Sequence, residues 1–189
     1  GQAQVSPAST TTYHVTGIDS NGCIRDVDIP VTVNPLPTVD ANSNIASVCL
    51  GDTASLWGTG ASNYDWYNNG NFIGSQNPIS VNPVSTTTYY VEGTDVNGCS
   101  NIDSVEIVVN DLPNISVTLS DTAICLGDTA QATASGATTY SWQSSSTFTQ
   151  LAGNMIELSP ASNTQIIVQG TDQNGCSNSD SSVLHINQP

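Results

Sequence analysis

One motif recurs three times along this chain, and that recurrence limits the folds open to it. Residues 5–23, VSPASTTTYHVTGIDSNGC, match residues 81–99, VNPVSTTTYYVEGTDVNGC, at 13 of 19 positions, and residues 158–176, LSPASNTQIIVQGTDQNGC, keep the same frame. Pro7, Pro83 and Pro160 stand 76 and 77 residues apart, as do Cys23, Cys99 and Cys176, while Cys49 and Cys125 stand 76 apart. A period of that length reads as one module per repeat. The single extra residue of the last copy falls between Trp142 and Pro160, where a loop can absorb it.

The spacing predicts complete modules over residues 38–113 and 114–189, and the C-terminal half of a third over residues 1–37. The first half of that third module is expected upstream of residue 1, which makes the chain a slice of a longer array. A lone hairpin is marginal by itself, so the fold of residues 1–37 stays open.

Within residues 38–113, TASLWGTG, NYDWYNN, NFIG, PISV, TTYYVEGTD and SVEIVV read as short strands between turns. No helical periodicity competes with them. Six or seven strands in one period give an all-β fold of antiparallel sandwiches. Tyr89 and Val91 are expected inward with Val105, Ile107 and Val109, and Trp66 and Trp142 hold the place where immunoglobulin-like sandwiches bury a tryptophan. Asn97-Gly98 suits the positive φ angles of a tight hairpin, and Asp95 can accept hydrogen bonds across it. Prolines in NPLP and NDLP stop the ladder and stiffen the junctions, so the modules are expected to form an extended, fairly rigid array.

Composition removes several functions. The chain has sixteen acidic residues, one arginine (Arg25) and no lysine. Such a surface repels phosphates and acidic membranes, and it offers no lysine for an isopeptide staple or a Schiff base. No apolar run reaches the ~20 residues of a membrane span, and no secretion signal opens the sequence. His14 and His185 lie in different repeats and are expected to face outward, so neither a triad nor a zinc site is assembled. No catalytic residue is assigned.

VCLGDTASL, YDWYNNG, STTTYYVEGTDVNGCS and SVEIVV resemble the Ig-like and PKD-like repeats of Bacteroidota cell-surface proteins, including gliding-motility adhesins. The resemblance spans both full modules and the leading half. It implies tandem immunoglobulin-like sandwiches in a long surface or secreted protein, commonly exported by the type IX route.

Five cysteines at recurring places fit an oxidising compartment. Two pairings are open. Within modules, Cys49 would join Cys99 and Cys125 would join Cys176. In an immunoglobulin-like topology, however, the turn before the second strand and the tip of the last hairpin lie at opposite poles, roughly 20–25 Å apart for strands of about seven residues. The alternative joins Cys49 to Cys176 between modules, leaving Cys23, Cys99 and Cys125 for partners outside these residues.

Two ligand readings complete the set. Asp95, Asn97 and Asp103, with Asp172, Asn174 and Asp180, supply hard oxygen donors that suit calcium, or else simply cap hairpins. Ala54, Leu56 and Gly58 are expected inward, matching Ala130, Ala132 and Ala134, which turns Trp57 outward. Trp57, with Tyr67 and Tyr90, then offers aromatic surface for a sugar or a protein. The leading expectation is a stalk segment of an extracellular adhesin, with neighbouring repeats of the same chain as partners, and with surface polysaccharide or envelope proteins as further ones. A glycan- or protein-binding module and a spacer in a secreted enzyme are the alternatives.

Overall fold

The computed structural model describes residues 2–188. Among them are strands and no helix. The leading residues carry β1 (Thr11–Ile18) and β2 (Ile24–Val31). Then come β3 (Asp40–Ser43), β4 (Ser47–Cys49), β5 (Ala54–Thr59), β6 (Asn63–Asn68), β7 (Asn71–Gly74), β8 (Ile79–Val81), β9 (Thr87–Thr94) and β10 (Ser100–Asn110). The last period carries β11 (Ser116–Leu119), β12 (Ala123–Cys125), β13 (Ala130–Ser135), β14 (Thr139–Ser144), β15 (Phe148–Ala152), β16 (Met155–Leu158), β17 (Thr164–Thr171) and β18 (Ser177–Asn187). The described residues gather into two compact units, one of residues 2–44, 55–80 and 88–106, the other of residues 45–54, 81–87 and 107–188.

The last period is a sandwich of two four-stranded sheets, ordered β11-β13-β16-β15 and β12-β18-β17-β14. Alternation along each strand sends one side chain in two to the core. Ala130, Ala132 and Ala134 of β13, Trp142 of β14, Ile156 and Leu158 of β16, Ile166 and Val168 of β17, and Leu184 and Ile186 of β18 form one buried cluster. Each fully buried Leu or Ile contributes about 1.5–3 kcal/mol. The three alanines keep β13 thin, leaving room for Trp142. Tyr140 closes a corner beside them: its hydroxyl donates to the Ala137 carbonyl and accepts the Ala137 N–H, both at 2.9 Å.

Residues 38–113 repeat this scheme in sheets ordered β3-β5-β8 and β4-β10-β9-β6-β7. Leu56, Trp66, Val91 and Ile107 are fully buried and Tyr89 nearly so, while Val105 and Val109 are only half-buried. Tyr64 forms the same corner with Ala61. Two short strands escape a reading by alternation: β3 is polar except for Ala41 (DANS), and β4 has three residues. β4 lies parallel to the end of β10, Ser47–Cys49 against Val108–Asn110.

One strand changes partner between the copies. β7 pairs with β6, whereas its counterpart β15 pairs with β16. The turn residues decide this. Asn69 (φ 48°) and Gly70 (φ 76°) both take the left-handed conformation that closes a two-residue hairpin from β6 to β7. The second copy has Ser145-Ser146 there, and its turn is made instead at Gly153-Asn154, beside the extra residue. Gly153 also accepts the Trp142 indole N–H at 3.4 Å, while the buried Trp66 indole nitrogen has no hydrogen-bond partner among the described residues.

β1 and β2 form a separate two-stranded sheet, with Thr11 opposite Val31 and Ile18 opposite Ile24. Val15, Val27 and Ile29 are exposed on it. His14 is exposed as expected, and its Nδ1 lies 2.6 Å from Asp28.

Candidate functional site

Antiparallel pairing places three aromatic side chains side by side. Tyr67 of β6 stands opposite Tyr90 of β9 on one flank and opposite Phe72 of β7 on the other. Trp66 points into the core, so Tyr67 and its cross-strand neighbours point out. The strip crosses three strands, about 10 Å at ~4.8 Å per strand. Phe72 is 59% exposed and Tyr90 45%, enough for ring faces to be reached from solvent, and Tyr67 between them is half-buried. The Tyr67 and Phe72 rings meet edge to face, centroids 5.9 Å apart at 69°.

Carboxylates flank the strip on the same face. Asp65 stands opposite Glu92, two residues along from Tyr67 and Tyr90. Partial burial, and then the charges of Glu92 and Asp65, raise the Tyr67 hydroxyl above its ordinary range, so it remains a proton donor and hydrogen-bonds Glu92. Asp65 accepts the Ser75 hydroxyl. Aromatic surface beside fixed acceptors is the chemistry that binds a hydroxyl-bearing ring: apolar C–H faces stack, and hydroxyls donate to carboxylates.

The structure therefore brings Tyr67 and Tyr90 together and adds Phe72, which the sequence reading passed over. The signal was Asn69-Gly70, a two-residue hairpin turn between two strand-like runs. Trp57 lies elsewhere, half-buried on β5 opposite Asn42 of β3. The strip is not rebuilt in the second copy: Gln143 and Ile167 replace Tyr67 and Tyr90, and Phe148, the repeat mate of Phe72, stands on β15 opposite Leu158 of β16.

Of the two cysteine pairings, the structure contains Cys49–Cys176, across a sequence separation of 127. Cys99 and Cys125 are thiols, so neither pairing within a module is formed, and Cys23 is also free. Cys49 closes β4, and Cys176 ends the Asp-Gln-Asn-Gly-Cys tip between β17 and β18.

All three tips are built alike. One carboxylate oxygen accepts two backbone N–H groups at 2.8 and 2.9 Å: Asp19 from Asn21 and Cys23, Asp95 from Asn97 and Cys99, Asp172 from Asn174 and Cys176. Of the Asn-Gly pair only the glycine is left-handed, at φ 81°, 81° and 83°, so the tip is a wider, side-chain-capped loop and not the tight turn expected. These bonds, that from the Cys99 N–H foremost, hold the Asp95 carboxyl below its usual value.

The calcium donors do not converge. Asp95 and Asp172 cap tips, while Asp103 accepts the Ala41 N–H at 2.7 Å and Asp180 the Val117 N–H at 2.9 Å. Among the described residues no group of three His, Cys, Asp or Glu side chains gathers to hold a metal. The carboxylates act as backbone acceptors.

Residues 36–111 match the family model described as "Ig-like domain CHU_C associated". No curated protein sequence matches the chain. Among solved structures, it resembles an adhesin of an Antarctic bacterium, described as Ca2+-stabilized and as helping that bacterium reach out and bind ice, at 16% identity and a TM-score of 0.52. That likeness covers 96% of this chain and 57% of the other, so this chain spans little over half of the protein it matches. A bacterial ice-binding adhesin described for its host cell surface retention aligns at 14% identity and a TM-score of 0.46, over 93% of this chain and 74% of the other. The fold is an immunoglobulin-like β-sandwich of the kind found in bacterial adhesins. Domains of this class typically serve as non-catalytic adhesion or spacer modules.

Proposed function

We propose that the chain is a stalk segment of a bacterial cell-surface adhesin: a run of immunoglobulin-like modules that carries tension between the cell envelope and a more distal adhesive part. The observation that carries this reading is the Cys49–Cys176 bond, which ties the β4 end of one sequence repeat to the hairpin tip of the next. Such a bond shortens the chain that can be drawn out under load. The acidic, lysine-free surface fits a module that avoids phosphates and anionic membranes. Extracellular residence agrees with the disulfide. Export by the type IX route and a part in gliding rest on the resemblance of the repeats to gliding adhesins. Pulling single molecules in oxidised and reduced form tests the mechanical role, and surface labelling of intact cells tests the location.

A second reading belongs to the first full repeat alone. The Phe72–Tyr67–Tyr90 strip, bordered by Asp65 and Glu92, supports recognition of a neutral polysaccharide. Glycan-array binding by the isolated chain, lost on Tyr67→Ala, tests it.

A further inference from the structure

The bonded pair Cys49–Cys176 is a template for reading the free cysteines, because the chain holds further copies of both halves. The receiving half is the β4 end. There the Cys49 carbonyl accepts the Asp52 N–H at 2.9 Å, Leu50 donates to the Asn110 carbonyl at 2.9 Å, and Gly51 takes φ 98°. Around Cys125 the same atoms make the same bonds: Asp128 N–H to the Cys125 carbonyl at 3.0 Å, Leu126 N–H to the Asn187 carbonyl at 3.3 Å, and Gly127 at φ 98°. The strand beneath is matched as well, Cys49 facing Asn110 in a parallel pair and Cys125 facing Asn187 in another.

The inserted half is the Asp-x-Asn-Gly-Cys tip. Asn174 of that tip lines a surface hollow with Val48, Cys49, Asp52 and Asn110. Cys176 is fully buried, whereas Cys23, on a tip of the same hydrogen-bonded geometry, is exposed and Cys99 is half-buried. Tip geometry is therefore constant, and what differs is whether a β4-type surface covers the sulfur.

We infer that the β12 end around Cys125 is a second docking surface, whose occupant is the Asp-x-Asn-Gly-Cys tip of another copy of this chain, joined by a disulfide from Cys125 to that copy's Cys23. The inference rests on the Cys49–Cys176 bond and not on the adhesin reading, so either can fail alone. Ile124, Cys125, Asp128 and Asn187 reproduce the Val48, Cys49, Asp52 and Asn110 that line the hollow with Asn174. The bond forms by exchange with a low-molecular-weight disulfide. One thiolate attacks it and releases a thiol, the second thiolate displaces the other half, and two protein thiols are oxidised as one disulfide is reduced.

The test incubates the purified chain in a glutathione redox buffer, quenches with iodoacetamide, and combines non-reducing electrophoresis with peptide mapping. The expected result is a ladder of linked chains whose cross-linked peptides join Cys125 to a tip cysteine, Cys23 in preference to the half-buried Cys99. Cys125→Ser and Cys23→Ser should each lose most of the ladder while keeping Cys49–Cys176, and Cys99→Ser should keep it. A chain that stays monomeric with Cys125 alkylated, links dominated by Cys125–Cys125, or an undiminished ladder from Cys125→Ser would each overturn the inference.

Discussion

Cys49 and Cys176 are bonded to one another, while their repeat mates Cys125 and Cys99 remain thiols. Equivalent positions thus differ in covalent state for a reason of placement, since the tip that reaches Cys49 comes from the following repeat, and among the described residues no tip is bonded to Cys125. Two consequences can be measured.

Breaking the bond should destabilise the protein. For a loop of this length the chain-entropy estimate is about 5 kcal/mol. Cys49→Ser, or reduction by dithiothreitol, should lower the denaturation midpoint accordingly, and an unchanged midpoint would show that the bond does not constrain the unfolded chain.

The same bond should shorten the protein under load. A separation of 127 residues corresponds to about 440 Å of extended chain at ~3.5 Å per residue. Single-molecule pulling should release that length only after reduction. If oxidised and reduced molecules extend equally, the stalk reading loses its mechanical basis.

Calcium should be dispensable. Asp103 and Asp180 are committed to the Ala41 and Val117 N–H groups, and Asp95 and Asp172 to their tips. Excess EDTA should leave the melting temperature where it was. A drop restored by calcium but not magnesium would contradict this assignment.

The Asp95 cap predicts a pH dependence of defined sign. Its carboxyl is held in the folded state below the ordinary aspartate range, chiefly by the Cys99 N–H. The folded protein therefore binds that proton less readily than the unfolded chain. The stabilisation is complete above the ordinary aspartate range and is lost as pH falls through the depressed value. Asp95→Asn should flatten the acid limb of the stability curve below about pH 4, and an unchanged limb would argue against the cap.

Glycan binding should follow the strip and not Trp57. Tyr67→Ala or Phe72→Ala should weaken it by about tenfold, the scale of one lost aromatic contact. Trp57→Ala, on the other sheet, should leave affinity intact. Gly70→Val should weaken binding through the turn, since it forces a β-branched residue to φ 76°. Equal losses from Trp57→Ala and Tyr67→Ala would place the ligand elsewhere.

Much of this was legible from period and alternation. Leu56, Trp66, Tyr89, Val91 and Ile107 are buried as their spacing required, because a strand has two faces and a hydrophobic run fixes which is inside. The Asp-x-Asn-Gly-Cys cap was legible too, since its bonds are local. Less visible were β3 and β4, too polar or too short to show a pattern, and the partner exchange of β7, which turns on Asn69-Gly70.

What sequence alone determined is the all-β character and the local shape of each tip, because these depend on residues within a few positions of one another. The tertiary structure decided burial and bonding between distant positions. Val15 and Val91 occupy the same place in one motif, yet Val15 is 48% exposed and Val91 is fully buried. Cys23, Cys99 and Cys176 end loops with the same carboxylate cap, yet of the three only Cys176 is oxidised. Burial and disulfide formation require a second surface within a few ångströms, and a motif cannot specify which distant segment will supply it.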